Sequence, residues 1–272
     1  MTEPAIFVGG AGADHTAPQK LLLKLANRHG LIAGATGTGK TVTMQVLVEG
    51  FSDAGVPVFL ADVKGDVSGL SVAGQVSDRL DGRAVQIGMG PVPYRPCPVV
   101  FWDLFGVQGH PVRTTITDMG PLLLAQMLGL TDVQEGVLHI AFHVADDEGL
   151  ALLDLDDLRA VLLWIGENSD AVTRSYGNVA KASIGAIQRA LLMLETEGAA
   201  GFLGEPALAL SDMIATDARG AGQVNVLMAD RLITSPRLYA MFLLWLLSEL
   251  FEDLPEIGNP DKPVLVFFFD EA

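Results

Sequence analysis

The segment LIAGATGTGKT, residues 31–41, decides the fold. Its last eight residues, GATGTGKT from Gly34 to Thr41, fit the pattern G-x-x-x-x-G-K-[ST] of a phosphate-binding loop. That pattern is informative when a strand precedes the loop and a helix follows it, and both are predicted here. The apolar residues Leu31 to Ala33 predict a short strand, and the residues from about Lys40 to Ser52 predict a helix.

Each residue type in this loop has a physical reason to be there. Glycines let the backbone wrap a phosphate with its N–H groups pointing inward, and the helix N-terminus adds partial positive charge. Lys40 is expected to reach the β- and γ-phosphates, and the Thr41 hydroxyl to take one position on Mg²⁺. We therefore predict ATP and Mg²⁺ as cofactors. The predicted nucleotide-binding residues are Gly34, Ala35, Thr36, Gly37, Thr38, Gly39, Lys40 and Thr41.

The segment VLVFFFDEA, residues 264–272, supplies a second candidate element, an apolar strand that ends in two acidic residues. Open α/β sheets bind ligands at the carboxyl ends of their strands. Because neighbouring side chains alternate in direction, Asp270 is predicted to hold Mg²⁺ while Glu271 polarises the attacking water. The predicted catalytic residues are thus Glu271 and Lys40, and the predicted metal ligands are Thr41 and Asp270.

The elements around the loop predict an α/β fold. Gly55 suits the end of the loop helix, and Val56 to Ala61 reads as a buried strand, so the unit is a βαβ crossover with a parallel sheet. The predicted fold class is a P-loop NTPase of the RecA type, a mainly parallel sheet flanked by helices with a mostly helical insertion. Residues 1–70 contain N-terminal strands and the βαβ unit, 71–220 the loop-rich and then helical insertion, and 221–272 the remainder of the same domain.

Hydrophobic periodicity predicts the other elements. Residues 65–103 are rich in glycine and proline and predict a loop with one or two short strands. Cap residues and spacings of three or four predict helices further on, whereas alternation of polar and apolar residues predicts a strand. The predicted helices run from Pro121 to about Leu128, from Asp154 or Asp156 to Trp164, and from Ser235–Pro236 to about Phe251. A further helix is predicted from its apolar face, which contains Val179, Ser183, Ile187, Leu191 and Leu194. The predicted strand is Gln223–Met228.

Composition restricts the class of protein. The chain has 272 residues, 50% of them hydrophobic, which allows a substantial core and argues against disorder. Its apolar runs are shorter than a bilayer requires, so no membrane span is predicted. The start of the chain does not resemble a signal peptide and there is one cysteine, which favours a reducing cytoplasm. A formal charge of −16 repels polyanions on average, so DNA binding requires a local basic surface.

Three weaker candidates have ordinary structural interpretations. The run from Asp62 to Asp66 follows the second predicted strand and is either part of the site or a polar turn. His139 and His143 are four residues apart, with Glu135 four residues earlier, but the sequence between them lacks the glutamate of a zinc-protease motif. Cys97 lies between two prolines without an adjacent histidine, which favours a packing role over a nucleophilic one.

Five segments together resemble a known family. They are Arg28–His29, the loop LIAGATGTGKT, DVKGD at residues 62–66, GHPVRTT at 109–115 and FFFDEA at 267–272. They resemble the HerA-like branch of the HerA/FtsK P-loop ATPases, specifically the bacterial HerA-like helicase-domain proteins, over nearly the whole chain. The loop and the acidic strand are shared by many ATPases, whereas the other segments are narrower signals.

The resemblance implies a function for the matching residues. Lys40 and Thr41 would bind nucleotide and Mg²⁺, Asp270 would help to hold Mg²⁺, and Glu271 would be the catalytic base. Members of this group are typically hexameric rings that use ATP to move DNA or another polymer through a central pore. The expectation by analogy is therefore an ATP-hydrolysing motor, a DNA helicase or translocase acting as a homo-oligomeric ring.

The sequence departs from the family in one respect. The family continues beyond the Asp-Glu-Ala segment with a sensor strand that lies between the phosphate-loop strand and the acidic strand. We expect the chain to be the N-terminal part of a longer protein. We also expect the two strands not to pair directly, so that the sheet has an unpaired gap or is rearranged, with backbone groups and apolar side chains exposed there.

Other functions remain open at this point. The negative charge motivates a nucleotide-dependent assembly or scaffold ATPase that acts on protein partners without translocating DNA. A small-molecule kinase is disfavoured because Glu271 beside Asp270 suits the positioning of water. No arginine finger can be assigned among Arg174, Arg231 and Arg237.

Overall fold

The protein forms two compact units in a computed structural model that describes residues 3–254 and 257–270. The first unit comprises the described parts of Met1–Trp102, Ala209–Asp230 and Pro255–Ala272, and the second comprises Asp103–Leu208 and Arg231–Leu254. Glu271, the predicted catalytic base, lies outside the described residues.

The first unit contains most of the strands and two helices. Its elements are β1 (Ala5–Ala11), β2 (Ala17–Leu22), α1 (Lys40–Asp53), β3 (Val58–Asp62), α2 (Asp78–Gln86) and β4 (Val99–Asp103). The second unit is mainly helical. It contains β5 (His110–Pro111), α3 (Ile116–Leu128), α4 (Asp132–Asp147), α5 (Leu155–Glu167), α6 (Ser169–Tyr176), α7 (Lys181–Thr196) and α8 (Pro236–Asp253). The strands β6 (Val224–Met228) and β7 (Val266–Phe269) belong to the first unit.

A parallel sheet forms the framework of the first unit. The strands β4, β6, β3 and β7 are neighbours in that order, and β3 is parallel to both β6 and β7. All five residues of β3 are buried, as expected for a strand covered on both faces. The parallel α/β fold predicted from the sequence is therefore confirmed.

Helix α1 packs on this sheet through one apolar face. Met44, Leu47, Val48 and Phe51 are buried in a cluster with residues of β3 and β6. On another side, a Cβ atom at Gly50 would lie 2.3 Å from Cγ2 of Ile6 in β1, so this close approach requires glycine. These contacts fix the helix that begins at the phosphate-binding loop.

The predicted strand at residues 31–33 does not form. In the described structure this segment has no strand pairing, and Leu31 is 89% exposed. Strand β7 ends the strand order and pairs only with β3 among the described residues. A three-residue strand needs a neighbour for its N–H and C=O groups, and no strand of the described ranges pairs with residues 31–33. The two segments do not pair directly, as expected, whereas the first strand of the predicted βαβ unit is wrong.

Residues 65–103 contain the expected short strand, β4, and also a helix, α2, that was not predicted. Helix α2 has Asp78 and Asp81 in its first turn, and the Tyr94 hydroxyl contacts Ser77 and Asp81. Tyr94 donates to Oδ1 of Asp81 at 3.1 Å and accepts from the Ser77 N–H at 3.0 Å. The helix has nine residues and buries only Ala84, so its sequence carries too few apolar positions for a hydrophobic period to be detected.

The second unit confirms the helical character predicted for its part of the chain. Asp154 caps α5 by accepting from the N–H groups of Asp156 and Asp157, and α7 buries Ile187, Leu191 and Leu194. Helix α3 begins before Pro121 and bends at Gly120, where φ is 71°. Across both described ranges, no helix is long and apolar enough to cross a membrane.

Candidate functional site

The loop before α1 has the backbone shape of a phosphate cradle. Gly37 and Gly39 have φ values of 79° and 98°, in the left-handed region that favours glycine. A Cβ atom at Gly34 would lie 2.4 Å from Oγ1 of Thr38, so a side chain there would displace the Thr38 hydroxyl where the loop closes. The residue types of the motif thus follow from the local geometry.

The N-terminus of α1 opens towards this loop. The first backbone hydrogen bond of the helix runs from the Thr43 N–H to the Gly39 carbonyl at 2.9 Å, so the preceding N–H groups have no acceptor one turn earlier. In the described structure no side chain caps this end of the helix. Unpaired N–H groups and the positive end of the helix dipole together form an environment that suits phosphate.

The side chains of the loop turn back onto the Ala35 carbonyl oxygen. Thr38 donates to it twice, from its N–H at 3.3 Å and from its hydroxyl at 2.7 Å. The Lys40 Nζ donates to the same oxygen at 3.2 Å. Lys40 is therefore held at the loop that a phosphate would enter, where its ammonium group can exchange one oxygen partner for another.

Asp270 lies at the same sheet edge as the end of β3. Ala61 of β3 pairs with Phe269 of β7, so the next residues, Asp62 and Asp270, follow at equivalent positions on parallel neighbours. Asp270 is half-buried, and it is the described member of the predicted Asp-Glu pair. The predicted metal ligand is thus at the carboxyl edge of the sheet, the edge at which such sheets bind ligands.

Asp62 has a structural role in the turn that follows β3. Its side chain is buried and accepts hydrogen bonds from the N–H groups of Lys64 at 3.2 Å, Gly65 at 2.7 Å and Val67 at 3.3 Å. These contacts support the polar-turn interpretation of this run.

Gln45 contacts that turn from α1 and was not identified from the sequence. Its Nε2 atom donates to the Asp66 carbonyl oxygen at 3.2 Å. Gln45 lies four residues after Thr41, which places both on one side of the helix. That spacing is the only sequence signal for the contact, and it is shared by many helical glutamines.

The weaker candidates have structural partners. His139 lies 3.8 Å from Glu135 on α4, and the described part of the chain contains no cluster of three metal-ligating side chains. Burial, followed by the nearby charges of Glu49 and Asp53, raises the pKa of the Cys97 thiol to about 11, which disfavours a nucleophilic role.

The other basic candidates lie in the second unit. The Arg113 Nη1 atom of the GHPVRTT segment donates to the Glu205 carbonyl at 2.6 Å, and Thr115 caps α3. The Arg231 guanidinium lies 4.4 Å from the centre of the Phe105 ring. Arg237 lies 3.8 Å from Glu197. Arg113, Arg231 and Arg237 thus each have a partner within the second unit.

Comparisons with known proteins identify a family and similar solved structures. The family model described as Helicase HerA-like C-terminal matches residues 11–272. The chain is similar to the structure of VirB4 of Thermoanaerobacter pseudethanolicus, with 16% sequence identity and a TM-score of 0.49. The match covers 93% of this chain and 65% of the VirB4 chain, so the chain spans less than two thirds of that protein. No curated protein sequence matches the chain.

Proposed function

The chain belongs to the helicase HerA-like C-terminal family, and from that premise we propose that it binds and hydrolyses ATP as a P-loop ATPase of the HerA/FtsK type. The observation that supports this most directly is the loop from Gly34 to Thr41. Its left-handed glycines precede an uncapped helix N-terminus, and the motif lysine is held at the same place. Oriented N–H groups and an ammonium group are the chemistry that a triphosphate requires.

The residues of the loop fit ATP and Mg²⁺. In the proposal, the backbone of residues 34–39 and the start of α1 bind the phosphates, and Lys40 binds the β- and γ-phosphates. Thr41 and Asp270 hold Mg²⁺, which bridges phosphate oxygens and neutralises the charge that develops on them. Glu271 orients and deprotonates the attacking water as the catalytic base.

The register of the sheet supports the assignment of Asp270. The pairing of Ala61 with Phe269 brings Asp270 to the carboxyl edge of the sheet, in the same unit as the loop. Asp62, at the equivalent position on β3, is occupied by backbone N–H groups, which leaves Asp270 the better metal ligand of the two.

We further propose that the whole protein is a motor that acts on DNA as a homo-oligomeric ring in the cytoplasm, a proposal that rests on the family. A second candidate is an ATPase that drives assembly of protein partners without moving DNA. The formal charge of −16 favours this alternative, because an acidic surface repels a polyanion.

One experiment separates these functions. Mg²⁺-dependent ATP hydrolysis by the full-length protein is measured at low salt, without DNA and with single- or double-stranded DNA, beside Glu271→Gln. Stimulation by DNA that is lost in the variant supports the motor. Hydrolysis that DNA does not affect supports the protein-directed ATPase, and no hydrolysis under any condition overturns the proposal.

A further inference from the structure

We propose that Gln45 is a positioning residue that sets the distance between the phosphate-binding helix α1 and the turn 62–67, and so controls the response of the site to Mg²⁺. The inference rests on the proposed ATPase function and adds a residue to it. The contact that carries it joins the Gln45 side-chain amide to the Asp66 carbonyl, at 3.2 Å.

Helix geometry places this contact on the metal side of the site. Residues four apart on an α-helix lie on the same face, about 6 Å apart along the axis. Thr41, whose hydroxyl is the proposed Mg²⁺ ligand, is one turn before Gln45. The turn 62–67 therefore runs beside the flank of α1 that carries the metal ligand.

The turn itself is stiff. The buried Asp62 carboxylate accepts three of its backbone N–H groups, and Val67 is 1% exposed in the core of the first unit. The Ser68 hydroxyl adds a bond to the Gly65 carbonyl at 3.2 Å. Val67 packs in one cluster with Met44 and Val48 of α1, so the core holds the base of the turn to the helix. The Gln45 bond holds the exposed end of the turn, at Asp66.

The turn 62–67 also carries two charged side chains beside α1. Lys64 and Asp66 are exposed members of it, one cationic and one anionic. A change in the distance between the turn and α1 shifts both charges relative to the metal and phosphates, where electrostatic energies depend steeply on separation. Loss of the Gln45 bond is therefore expected to affect the Mg²⁺-loaded state more than nucleotide binding without metal.

The test uses a series at one position in the full-length protein. Gln45→Met keeps the length of the side chain and removes the donor, Gln45→Glu places an acceptor against the carbonyl, and Gln45→Lys retains a donor. The matched control is Gln86→Met, because Nε2 of Gln86 also donates to a backbone carbonyl, that of Asp14 at 3.1 Å. Turnover against Mg²⁺ concentration, kcat and KM for MgATP, and binding of a fluorescent ATP analogue in EDTA are measured for each variant.

We expect the half-saturating Mg²⁺ concentration to rise about threefold to tenfold in Gln45→Met, the effect of one hydrogen bond, and at least as much in Gln45→Glu. Gln45→Lys and Gln86→Met are expected to stay within about twofold of the wild type, and binding in EDTA is expected to be unchanged throughout.

The outcomes separate this inference from the proposed function. If the wild type hydrolyses ATP and Gln45→Met has the same Mg²⁺ profile as Gln86→Met, the positioning role is wrong. If all Gln45 variants lose binding in EDTA to the same extent, the residue supports folding of the helix and the positioning role is also wrong. A wild-type protein that binds no nucleotide overturns the proposed function and this inference with it.

Discussion

The Lys40 ammonium group donates a hydrogen bond across the loop to the Ala35 carbonyl oxygen, with Nζ 3.2 Å from that oxygen. The same oxygen also accepts from Thr38, so the loop is closed on its own backbone. A phosphate entering the loop offers Lys40 a fully charged acceptor in place of a neutral one, and charge-assisted hydrogen bonds are the stronger. The hydrogen bond to Ala35 therefore holds Lys40 at the loop, and a phosphate can replace the carbonyl oxygen as its acceptor.

Replacing Lys40 by alanine is expected to weaken nucleotide binding by about tenfold to hundredfold, the range for loss of a hydrogen bond to a charged group. The lysine makes an exposed contact, so its removal has little effect on the free energy of unfolding. Titration with a fluorescent ATP analogue measures the affinity, and chemical denaturation provides the control. An unchanged affinity would show that phosphate binds elsewhere.

The acidic pair is expected to separate metal binding from water activation. Glu271→Gln should preserve MgATP binding and lower kcat by about a hundredfold to ten-thousandfold, the contribution of a general base. Asp270→Asn should instead raise the Mg²⁺ requirement, because an amide is a weaker ligand for a hard cation than a carboxylate. Steady-state turnover at several Mg²⁺ concentrations distinguishes the two. Equal effects on Mg²⁺ dependence would contradict the division of roles.

Asp62 is expected to matter for stability. Asp62→Ala leaves three backbone N–H groups without their acceptor in a buried position and should lower the free energy of unfolding by about 2–4 kcal/mol. Asp103 is a matched control in the second unit, since its carboxylate accepts from the N–H groups of Phe105, Val107 and Gln108. Urea denaturation measures both variants. A similar loss from Asp103→Ala, without any effect on nucleotide binding, is expected.

The sequence predicted the elements whose signals are local. Helix α1 and strands β3 and β6 lie within one or two residues of the predicted bounds. A glycine-rich turn and a glycine after the helix mark α1, an apolar run marks β3, and alternation of polar and apolar residues marks β6. The strand at 31–33 failed for a non-local reason. Its residues are apolar, but a strand exists only if a neighbour pairs with it, and no described strand does.

In the candidate site too, the sequence predicted the contiguous loop but not the contacts between residues that are far apart in the chain. The loop from Gly34 to Thr41 is a contiguous motif, and its glycines have the conformations that the motif requires. The contact of Gln45 with Asp66 joins residues 21 apart in sequence, and neither residue has a distinctive pattern around it. The choice between a site and a turn at Asp62 needed the positions of three N–H groups, which only the fold supplies.

Cys97 is expected to react slowly with thiol reagents. The pKa of its thiol is raised to about 11, mainly by burial and further by the charges of Glu49 and Asp53, while Arg95 opposes the shift. Against an ordinary value of 9.0, this leaves about a hundredfold less thiolate at pH 8, and the thiolate is the reactive form. The reaction rate should therefore rise about tenfold for each pH unit up to the pKa.

The single cysteine makes this measurement specific, because all thiol signal comes from one site. Reaction with a disulfide reagent is followed from pH 7 to 10, with circular dichroism to confirm that the protein stays folded. Glu49→Gln removes a negative charge and should lower the pKa and speed the reaction, whereas Arg95→Ala removes a positive charge and should slow it. A folded protein that reacts at pH 8 as fast as the urea-unfolded chain would contradict both the burial and the charge environment described for this thiol.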